Sequence, residues 1–299
     1  MDSMKNLLEA INAEASSGAT EADITAFEGQ TGLKLPESLH ALYIQCDGAV
    51  LSQGEPKILP LATIQEQMIG VHRWGFLERW GYFPFTDNND SNPFCVCCNA
   101  PLTGYIVQVP HDDTAAIKFR SLGSFLAALQ QFVDEDYWDL HEMPSEFEGP
   151  DRTAQDIAVG RELLKMAPEM DELEQRDALR FGMWLLSEPQ VSEITPLLEH
   201  RDEYVRDDAA RRLAAMQSSE ASQALDKAKN EMRRFVQQCA ERLMQAGIKA
   251  TVIKEINLRL EPGPVWLNME GLYSRRNDAD VYDFILERSH FFLAQKVRK

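Results

Sequence analysis

The sequence predicts an α+β fold, with an antiparallel sheet flanked by helices in its N-terminal part and a mostly α-helical C-terminal part. Three observations support this prediction. Apolar residues recur at three- and four-residue spacing between Ile24 and Cys46, which is typical of helices. Short apolar runs bounded by Gly, Pro and Asn occupy residues 83–109, as expected of antiparallel strands. From residue 152 onward the helical spacing returns and dominates the rest of the chain.

The first of these patterns predicts two helices separated by a break. Ile24 and Phe27 are three residues apart and share one helix face. Gly32 supplies a flexible stop, and Pro36 suits the first turn of the second helix, where its missing N–H costs nothing. Gly48 then ends the second helix in a turn. The predicted inner face of the second helix consists of Leu39, Leu42, Tyr43 and Cys46.

The other N-terminal elements are predicted from shorter patterns. They are a first helix over residues 4–15, a ragged strand within 51–64, a helix-like stretch over 64–80, strands at 83–85, 94–97 and 105–109, and a helix over 122–133. The polar run 86–92 superficially resembles a calcium-binding loop. The sixth residue counted from Asp87 is Asn92 and the twelfth is Cys98, whereas that loop needs Gly and Glu at these positions. We therefore interpret the run as a polar turn.

The charge of the chain is unevenly distributed. Residues 1–150 carry 22 acidic and 7 basic side chains, a balance of −15, whereas residues 151–299 carry 26 and 23, a balance of −3. A strongly negative field repels nucleic acid and anionic membranes, so neither is an expected partner, and it accelerates association with basic proteins. The simpler interpretation, that the charge only keeps the protein soluble, stays open at this point.

Length and composition bound the class of protein. A chain of 299 residues with 44% apolar residues is long enough for two globular domains. The sequence does not open with a basic patch followed by an apolar run, and no stretch reaches about 18 apolar residues. We therefore expect a soluble cytoplasmic protein. Five cysteines, an odd number, fit reduced thiols better than a disulfide framework.

Six short motifs follow one another in the N-terminal part. They are Glu28, Gly32, Leu35-Pro36, Leu42-Tyr43 and Cys46-Asp47-Gly48-Ala49 as the first, then Phe83-Pro84-Phe85-Thr86-Asp87, Phe94-Cys95-Val96, Gly104-Tyr105-Ile106-Val107, His111-Asp112, and Ser121-Leu122-Gly123-Ser124-Phe125-Leu126. In this order they resemble the SMI1/KNR4, or SUKH, family over roughly residues 20–133. One departure concerns residues 88–91, Asn-Asn-Asp-Ser, where the family often has glycines. The resemblance implies an SMI1/KNR4-like domain over residues 1–135.

A change of composition marks a boundary after that domain. Residues 134–151 contain eight acids and no Lys or Arg, with two prolines and a glycine near the end. We interpret residues 136–151 as an acidic linker that precedes a helical domain over 152–299. The alternative is an acidic and aromatic contact strip anchored by Tyr137, Trp138 and Phe147.

The C-terminal domain is predicted to be a short HEAT-like array that ends in a hairpin and a helix. Residues 194–216 look like one HEAT repeat, with Asp202 and Arg206 at its turn. One unit is too few for a solenoid, since repeats bury their faces against neighbours, so the helical stretches 154–187 and 220–246 are candidate degenerate neighbours. Residues 256–260 alternate apolar and polar, and residues 265–269 can return as a second strand.

The sequence gives little support for a catalytic site or a metal site. A structural zinc site needs four ligands, usually in two spaced pairs, but Cys95, Cys97 and Cys98 lack a second pair nearby. On a strand, Cys95 and Cys97 face one side and Cys98 the other, which favours buried thiols over zinc. The six histidines are scattered, and no common hydrolase, metalloprotease or phosphate-loop motif occurs. We therefore predict no cofactor, no metal and no catalytic activity.

The family resemblance implies a protein-binding module, because many bacterial members are cytosolic antidotes that bind and block a cognate toxin. Such toxins are often nucleases, which tend to be basic since they grip phosphates, and an acidic N-terminal half suits them. The residues predicted to contact the toxin are Trp74, Trp80, Asp87, Asp90, Asp112 and Asp113. Two alternatives stay open: a scaffold or regulator that docks partners through the HEAT-like half, and a metal-dependent enzyme built on the cysteine cluster.

Overall fold

A computed structural model describes residues 14–50, 57–71, 79–87, 92–110, 114–134, 143–245, 249–253, 257–261 and 265–268. Contacts within the chain divide it into two compact units. Unit 1 comprises Met1–Leu186 and unit 2 comprises Ser187–Lys299.

Unit 1 contains an antiparallel sheet system and a set of helices. The strands are β1 (Glu14–Ala15), β2 (Ala49–Val50), β3 (Lys57–Ile58), β4 (Tyr82–Pro84), β5 (Thr86–Asp87), β6 (Phe94–Cys97), β7 (Ile106–Gln108) and β8 (Ala116–Phe119). The helices are α1 (Glu21–Thr31), α2 (Glu37–Gln45), α3 (Leu61–Val71), α4 (Leu122–Asp134), α5 (Ala154–Met166) and α6 (Glu172–Trp184). The strands form one sheet in the order β1-β2-β3-β5 and a second, the central sheet, in the order β4-β6-β7-β8. All these pairings are antiparallel, so the predicted α+β class is confirmed.

The predicted first pair of helices is confirmed as α1 and α2. Thr20 caps α1 because its Oγ1 accepts a hydrogen bond from the Asp23 N–H at 3.2 Å, while the Asp23 carboxylate accepts from the Thr20 N–H at 2.9 Å. Gly32 ends the helix with φ at +75°, a left-handed conformation that glycine adopts without strain. Pro36 directly precedes α2. The predicted first helix over 4–15 lies outside the described residues except for 14–15, which form β1.

One face of the central sheet forms the main core with α1 to α4. Phe83, Phe85 and Phe94 are fully buried in it. The Phe85 and Phe125 ring centroids lie 5.0 Å apart, and those of Phe27 and Phe83 lie 5.5 Å apart, both edge to face. Such pairs add about 0.5–1.5 kcal/mol each beyond the area they bury. The core therefore joins helices from both ends of the predicted domain to the same strands.

The second face of the central sheet is covered by α5 and α6. Phe181 of α6 packs edge-on against Trp80, with ring centroids 6.3 Å apart. The two helices approach closely where glycines meet: a Cβ on Gly160 would lie 2.8 Å from the carbonyl oxygen of Gly182. Strand β6 is consequently buried on both faces, as strands covered by helices on both sides are.

A buried carboxylate, that of Asp156, fastens α5 to the central sheet. It accepts hydrogen bonds from the Tyr105 hydroxyl at 2.8 Å and from Arg120 Nε at 2.6 Å. It also accepts from the Thr153 N–H at 2.7 Å, which caps α5. Burial opposes ionisation of Asp156, but the bonds from Arg120, Thr153 and Tyr105 outweigh it and lower the pKa. Arg120 also pairs with Glu146.

The segment 143–152 packs against this centre rather than extending freely. Its Phe147 ring is fully buried, and Arg120 Cζ and Arg152 Cζ each lie 5.1 Å from the ring centroid. Burial, with a smaller contribution from Arg120, lowers the pKa of Arg152 to about 10. The alternative in which Phe147 anchors an exposed contact strip is therefore wrong, while Tyr137 and Trp138 lie outside the described residues. The predicted domain boundaries at 135 and 151 stay a prediction.

Unit 2 consists of helices followed by a small sheet. Its helices are α7 (Val191–Ile194), α8 (Glu203–Met216) and α9 (Ser219–Gln245), with 3-10 turns at Glu188–Gln190 and Thr195–Glu199. Its strands are β9 (Lys249–Ile253), β10 (Asn257–Glu261) and β11 (Val265–Asn268), antiparallel in the order β11-β10-β9. The predicted hairpin is confirmed as β10 and β11, whereas the pattern missed β9. The predicted last helix lies outside the described residues.

The predicted HEAT repeat has only part of its expected form. Asp202 caps α8 through hydrogen bonds from the Tyr204 and Val205 N–H groups at 2.9 and 3.4 Å. Arg206 folds back onto the preceding turn, where its Nη1 donates to the carbonyl of His200 at 2.8 Å. The first helix of the repeat is instead a single α turn followed by a 3-10 stretch. The HEAT-like assignment stays a prediction.

The replacement Asp156→Asn tests the fastening of α5. Breaking a buried ion pair costs about 3–5 kcal/mol of unfolding free energy, measured by urea denaturation at neutral pH. Because the pKa is lowered in the folded state, the stabilisation exists above the ordinary aspartate pKa of about 3.9 and is lost as the pH falls through the lower folded value. The two proteins should therefore converge in stability in acid. Asp151→Asn, at an exposed neighbour, should stay within about 0.5 kcal/mol, and an equal loss there would contradict the assignment.

Candidate partner-binding edge

Two acidic connections meet the central sheet at the same end of its strands. One joins β5 to β6 and includes Asp90, and the other joins β7 to β8 and includes Asp112 and Asp113. Phe94 at the start of β6 lies opposite Gln108 at the end of β7. Strands that pair in this register bring the two connections to one edge, here called the partner-binding edge.

Backbone hydrogen bonds join the bases of the two connections. The Val109 N–H donates to the carbonyl of Pro93 at 3.1 Å, so the residue after β7 is tied to the residue before β6. On the β5 side, the buried Thr86 Oγ1 accepts from the Phe94 N–H at 2.9 Å, and the Phe85 N–H donates to the Phe94 carbonyl at 3.1 Å. The strand ends that flank the two connections are therefore joined by hydrogen bonds.

The start of β8 is held from a helix. Arg180 of α6 is 8% exposed, and its Nη1 donates to the carbonyl of Ala115 at 3.1 Å. Ala115 is the residue before β8. This hydrogen bond spans 65 positions of sequence, and no local pattern predicts it.

The six predicted contact residues have different outcomes. The prediction that Trp80 contacts a partner is wrong. Its side chain has no exposed surface, because it packs beneath α6 against Phe181. It therefore does not serve as a surface contact. Asp87 lies in β5, opposite Lys57. The remaining predicted contacts, Trp74, Asp90, Asp112 and Asp113, lie outside the described residues.

The division into units sharpens the charge asymmetry. Unit 1 has 30 acidic and 12 basic side chains, whereas unit 2 has 18 of each. The whole formal charge of −18 therefore belongs to unit 1. A field of this size acts on charged partners over about one Debye length, roughly 8–10 Å at physiological salt. Unit 1 thus presents an acidic surface, and unit 2 is balanced.

The cysteines are packing residues in this structure. All five thiols are buried and unbridged. Burial raises the pKa of Cys95 and of Cys97 well above the usual value, and that of Cys98 to about 12. Within the described ranges, no group of three His, Cys, Asp or Glu side chains could hold a metal ion.

Sequence reasoning missed the residues that hold the edge and the second face together. Asp156 and Arg180 are charged side chains that are buried, and Arg120 one that is half-buried, through contacts distant in sequence. The one local signal is the pair Thr153 and Asp156, whose spacing is that of a capping box. It predicts the start of α5 and says nothing of the ion pair.

The fold of unit 1 thus defines a class of protein, an α+β domain in which hydrogen bonds join the bases of two loops at one end of the sheet. Its described residues show no cofactor site. Residues 18–128 match the family model of SMI1/KNR4 (SUKH-1), and this part of the chain is a domain of that family. The match ends within α4 and does not include α5 or α6. A comparison with curated proteins finds no significant match. Across the part of the chain that the structure describes, no helix is both long and apolar enough to cross a membrane.

Burial predicts slow thiol chemistry in the native protein. A pKa raised from 9.0 to about 11, as at Cys46, lowers the thiolate fraction at pH 8 about 100-fold. Titration with Ellman's reagent should therefore label the native thiols slowly and all five at once after unfolding in guanidinium. Rapid labelling of several native thiols would contradict their placement. Stoichiometric zinc in elemental analysis would instead assign the protection to a metal.

Proposed function

We propose that this protein is a non-catalytic, cytoplasmic binding module of the immunity type, which binds and neutralises a basic toxin of the nuclease type. Membership of residues 18–128 in the SMI1/KNR4 (SUKH-1) family is consistent with such a module. The observation that carries the proposal is that the complete net charge of −18 lies in the unit that contains this domain. Inhibition of this kind requires only a surface that covers the active site of the toxin.

Complementary charge accounts both for fast association with the partner and for the choice of a basic partner. Nuclease domains bind polyphosphate through Lys and Arg, so their active sites are electropositive. An acidic binding surface steers such a partner into contact and excludes acidic proteins. An antidote needs rapid capture, because a free toxin acts catalytically. The charge of unit 1 is larger than solubility alone would require, and it supports this role.

The partner-binding edge is the proposed contact surface. Its strand ends are joined by hydrogen bonds at Val109, Thr86 and Ala115, and fixed strand ends lower the entropy lost on binding. We propose that Asp87, Asp90, Asp112 and Asp113 contact the basic partner. Trp74 is the remaining proposed aromatic anchor, since Trp80 is buried.

Charge reversal at the edge tests the proposal. The full-length protein is titrated against a panel of purified nuclease-type toxin domains, and binding is measured by calorimetry together with nuclease activity. We expect at least one basic domain to be bound and inhibited at a 1:1 ratio. The double variant Asp112→Lys with Asp113→Lys should weaken that binding by about tenfold or more at low salt, with a smaller effect at high salt.

The matched control makes an equal change in net charge elsewhere in unit 1. Glu162→Lys with Glu169→Lys alters two exposed acids on and after α5. If the control weakens binding as much as the edge variant, the field acts as a whole and the edge is not the contact surface. If none of the nuclease domains is bound, the proposed partner class is wrong.

The scaffold alternative rests on unit 2. Tyr204 at the start of α8 and Met244 near the end of α9 are large apolar side chains with 43% and 50% of their surface exposed. A partner docked there would depend on apolar contact, and its binding would change little with salt. Tyr204→Ser should then abolish binding that the edge variant leaves intact.

A further inference from the structure

We propose that His200 is a pH-sensitive switch in unit 2, which holds the turn before α8 when its ring is neutral and loosens that turn when the ring is protonated. The turn comprises residues 200–202 and joins the 3-10 stretch Thr195–Glu199 to α8. Histidine is the side chain whose charge ordinarily changes between about pH 5 and pH 8. The inference goes beyond the proposed toxin binding and does not depend on it.

The His200 ring accepts a hydrogen bond that only its neutral form can accept. The Asp202 N–H donates to His200 Nδ1 at 3.1 Å, and both residues are half-buried. A ring nitrogen that accepts carries no proton, so the neutral ring keeps its proton on Nε2. Protonation of the ring adds an N–H at Nδ1, and the Asp202 N–H loses this acceptor in a place that water reaches only in part.

The same turn also holds a buried guanidinium group. Arg206 of α8 is 5% exposed, and its Nη1 donates to the carbonyls of His200 at 2.8 Å and Arg201 at 3.0 Å. Protonation of the His200 ring therefore adds a second cation beside a guanidinium that the protein shields from water. Like charges repel more strongly where water is partly excluded. The repulsion acts on the backbone carbonyls that Arg206 holds in place.

The surroundings of the ring oppose its protonation. Burial lowers the pKa of His200; Asp202 raises it in part, whereas Arg201 in the turn and Arg206 on α8 lower it further. Because the pKa in the folded state lies below the ordinary value of about 6.5, the folded turn favours the neutral ring. The stabilisation is complete above that ordinary value and is lost as the pH falls through the lower folded value.

Loosening of the turn affects the start of α8. The Asp202 carboxylate caps this helix, since it accepts from the Tyr204 and Val205 N–H groups at 2.9 and 3.4 Å. A protonated His200 attracts the same carboxylate and competes with these N–H groups for it. Tyr204, with 43% of its surface exposed, is the second residue of the helix. A partner docked on Tyr204, as in the scaffold alternative, should therefore bind less tightly in acid.

Amide hydrogen exchange, followed by NMR on the full-length protein, tests the switch. Between pH 7.5 and pH 5, the protection factors of the Asp202, Tyr204 and Val205 amides should fall about fivefold, the factor that one lost hydrogen bond is worth. Protection factors already correct for the intrinsic pH dependence of exchange. Carboxylates of ordinary pKa, about 3.9 for Asp and 4.3 for Glu, stay largely ionised in this range. Protection that is constant down to pH 5 would overturn the inference.

The variant His200→Asn separates the acceptor from the titration. Its amide oxygen can accept from the Asp202 N–H, but the amide does not ionise. The variant should keep the protection of the Asp202 amide at pH 7.5 and lose its dependence on pH. The matched control is His40→Asn, at a half-buried histidine on α2 whose Nε2 lies 3.1 Å from a Glu21 carboxylate oxygen. This control removes one imidazole from unit 1 and should leave the transition at Asp202 unchanged.

The ring itself supplies a second readout in the wild-type protein. The NMR titration of the His200 imidazole should have the same midpoint as the loss of protection at Asp202, below the ordinary value of about 6.5. A transition that persists in His200→Asn would assign the pH dependence to another group and contradict the switch. If that variant does not fold, the two wild-type midpoints decide the question, since different midpoints contradict the switch and a shared midpoint supports it.

Discussion

Unit 1 depends on one ion pair, that between the buried Asp156 and the half-buried Arg120. A carboxylate taken out of water is costly unless every lone pair finds a partner, and here a hydroxyl, a guanidinium and a backbone N–H supply them. The three donors come from the residue before β7, the residue after β8 and the N-cap of α5. The position of α5 on the sheet is therefore dictated by charge as well as by apolar packing.

Because α5 is placed in this way, α6 is placed with it. The contact of Gly160 with Gly182 leaves no room for a side chain between the two helices, so they dock as a pair. This pair closes the second face of the central sheet and carries Arg180 to the β8 side of the acidic edge. An SMI1/KNR4 domain is thus completed by helices that the family match does not include.

Local patterns in the sequence account for much of the fold. The spacing of Ile24, Phe27, Leu39 and Leu42 predicted α1 and α2, and their burial confirms it. What local patterns do not contain is the partner of a charged residue: Asp156 pairs with Arg120 across 36 positions, and Arg180 with Ala115 across 65. Trp80 shows the same limit, since a tryptophan among basic and glycine residues looks exposed until α6 covers it.

The covering of β8 has a consequence for behaviour at high concentration. The Ser145 hydroxyl lies 3.2 Å from each of the Ile117 and Lys118 carbonyl oxygens, and the Glu146 N–H donates to the Lys118 carbonyl at 2.9 Å. An edge strand with open carbonyls is a template on which another chain can add a strand. Here the protein's own segment occupies that template. The sheet is thereby shielded, on this side, from the edge-to-edge pairing that leads to aggregation.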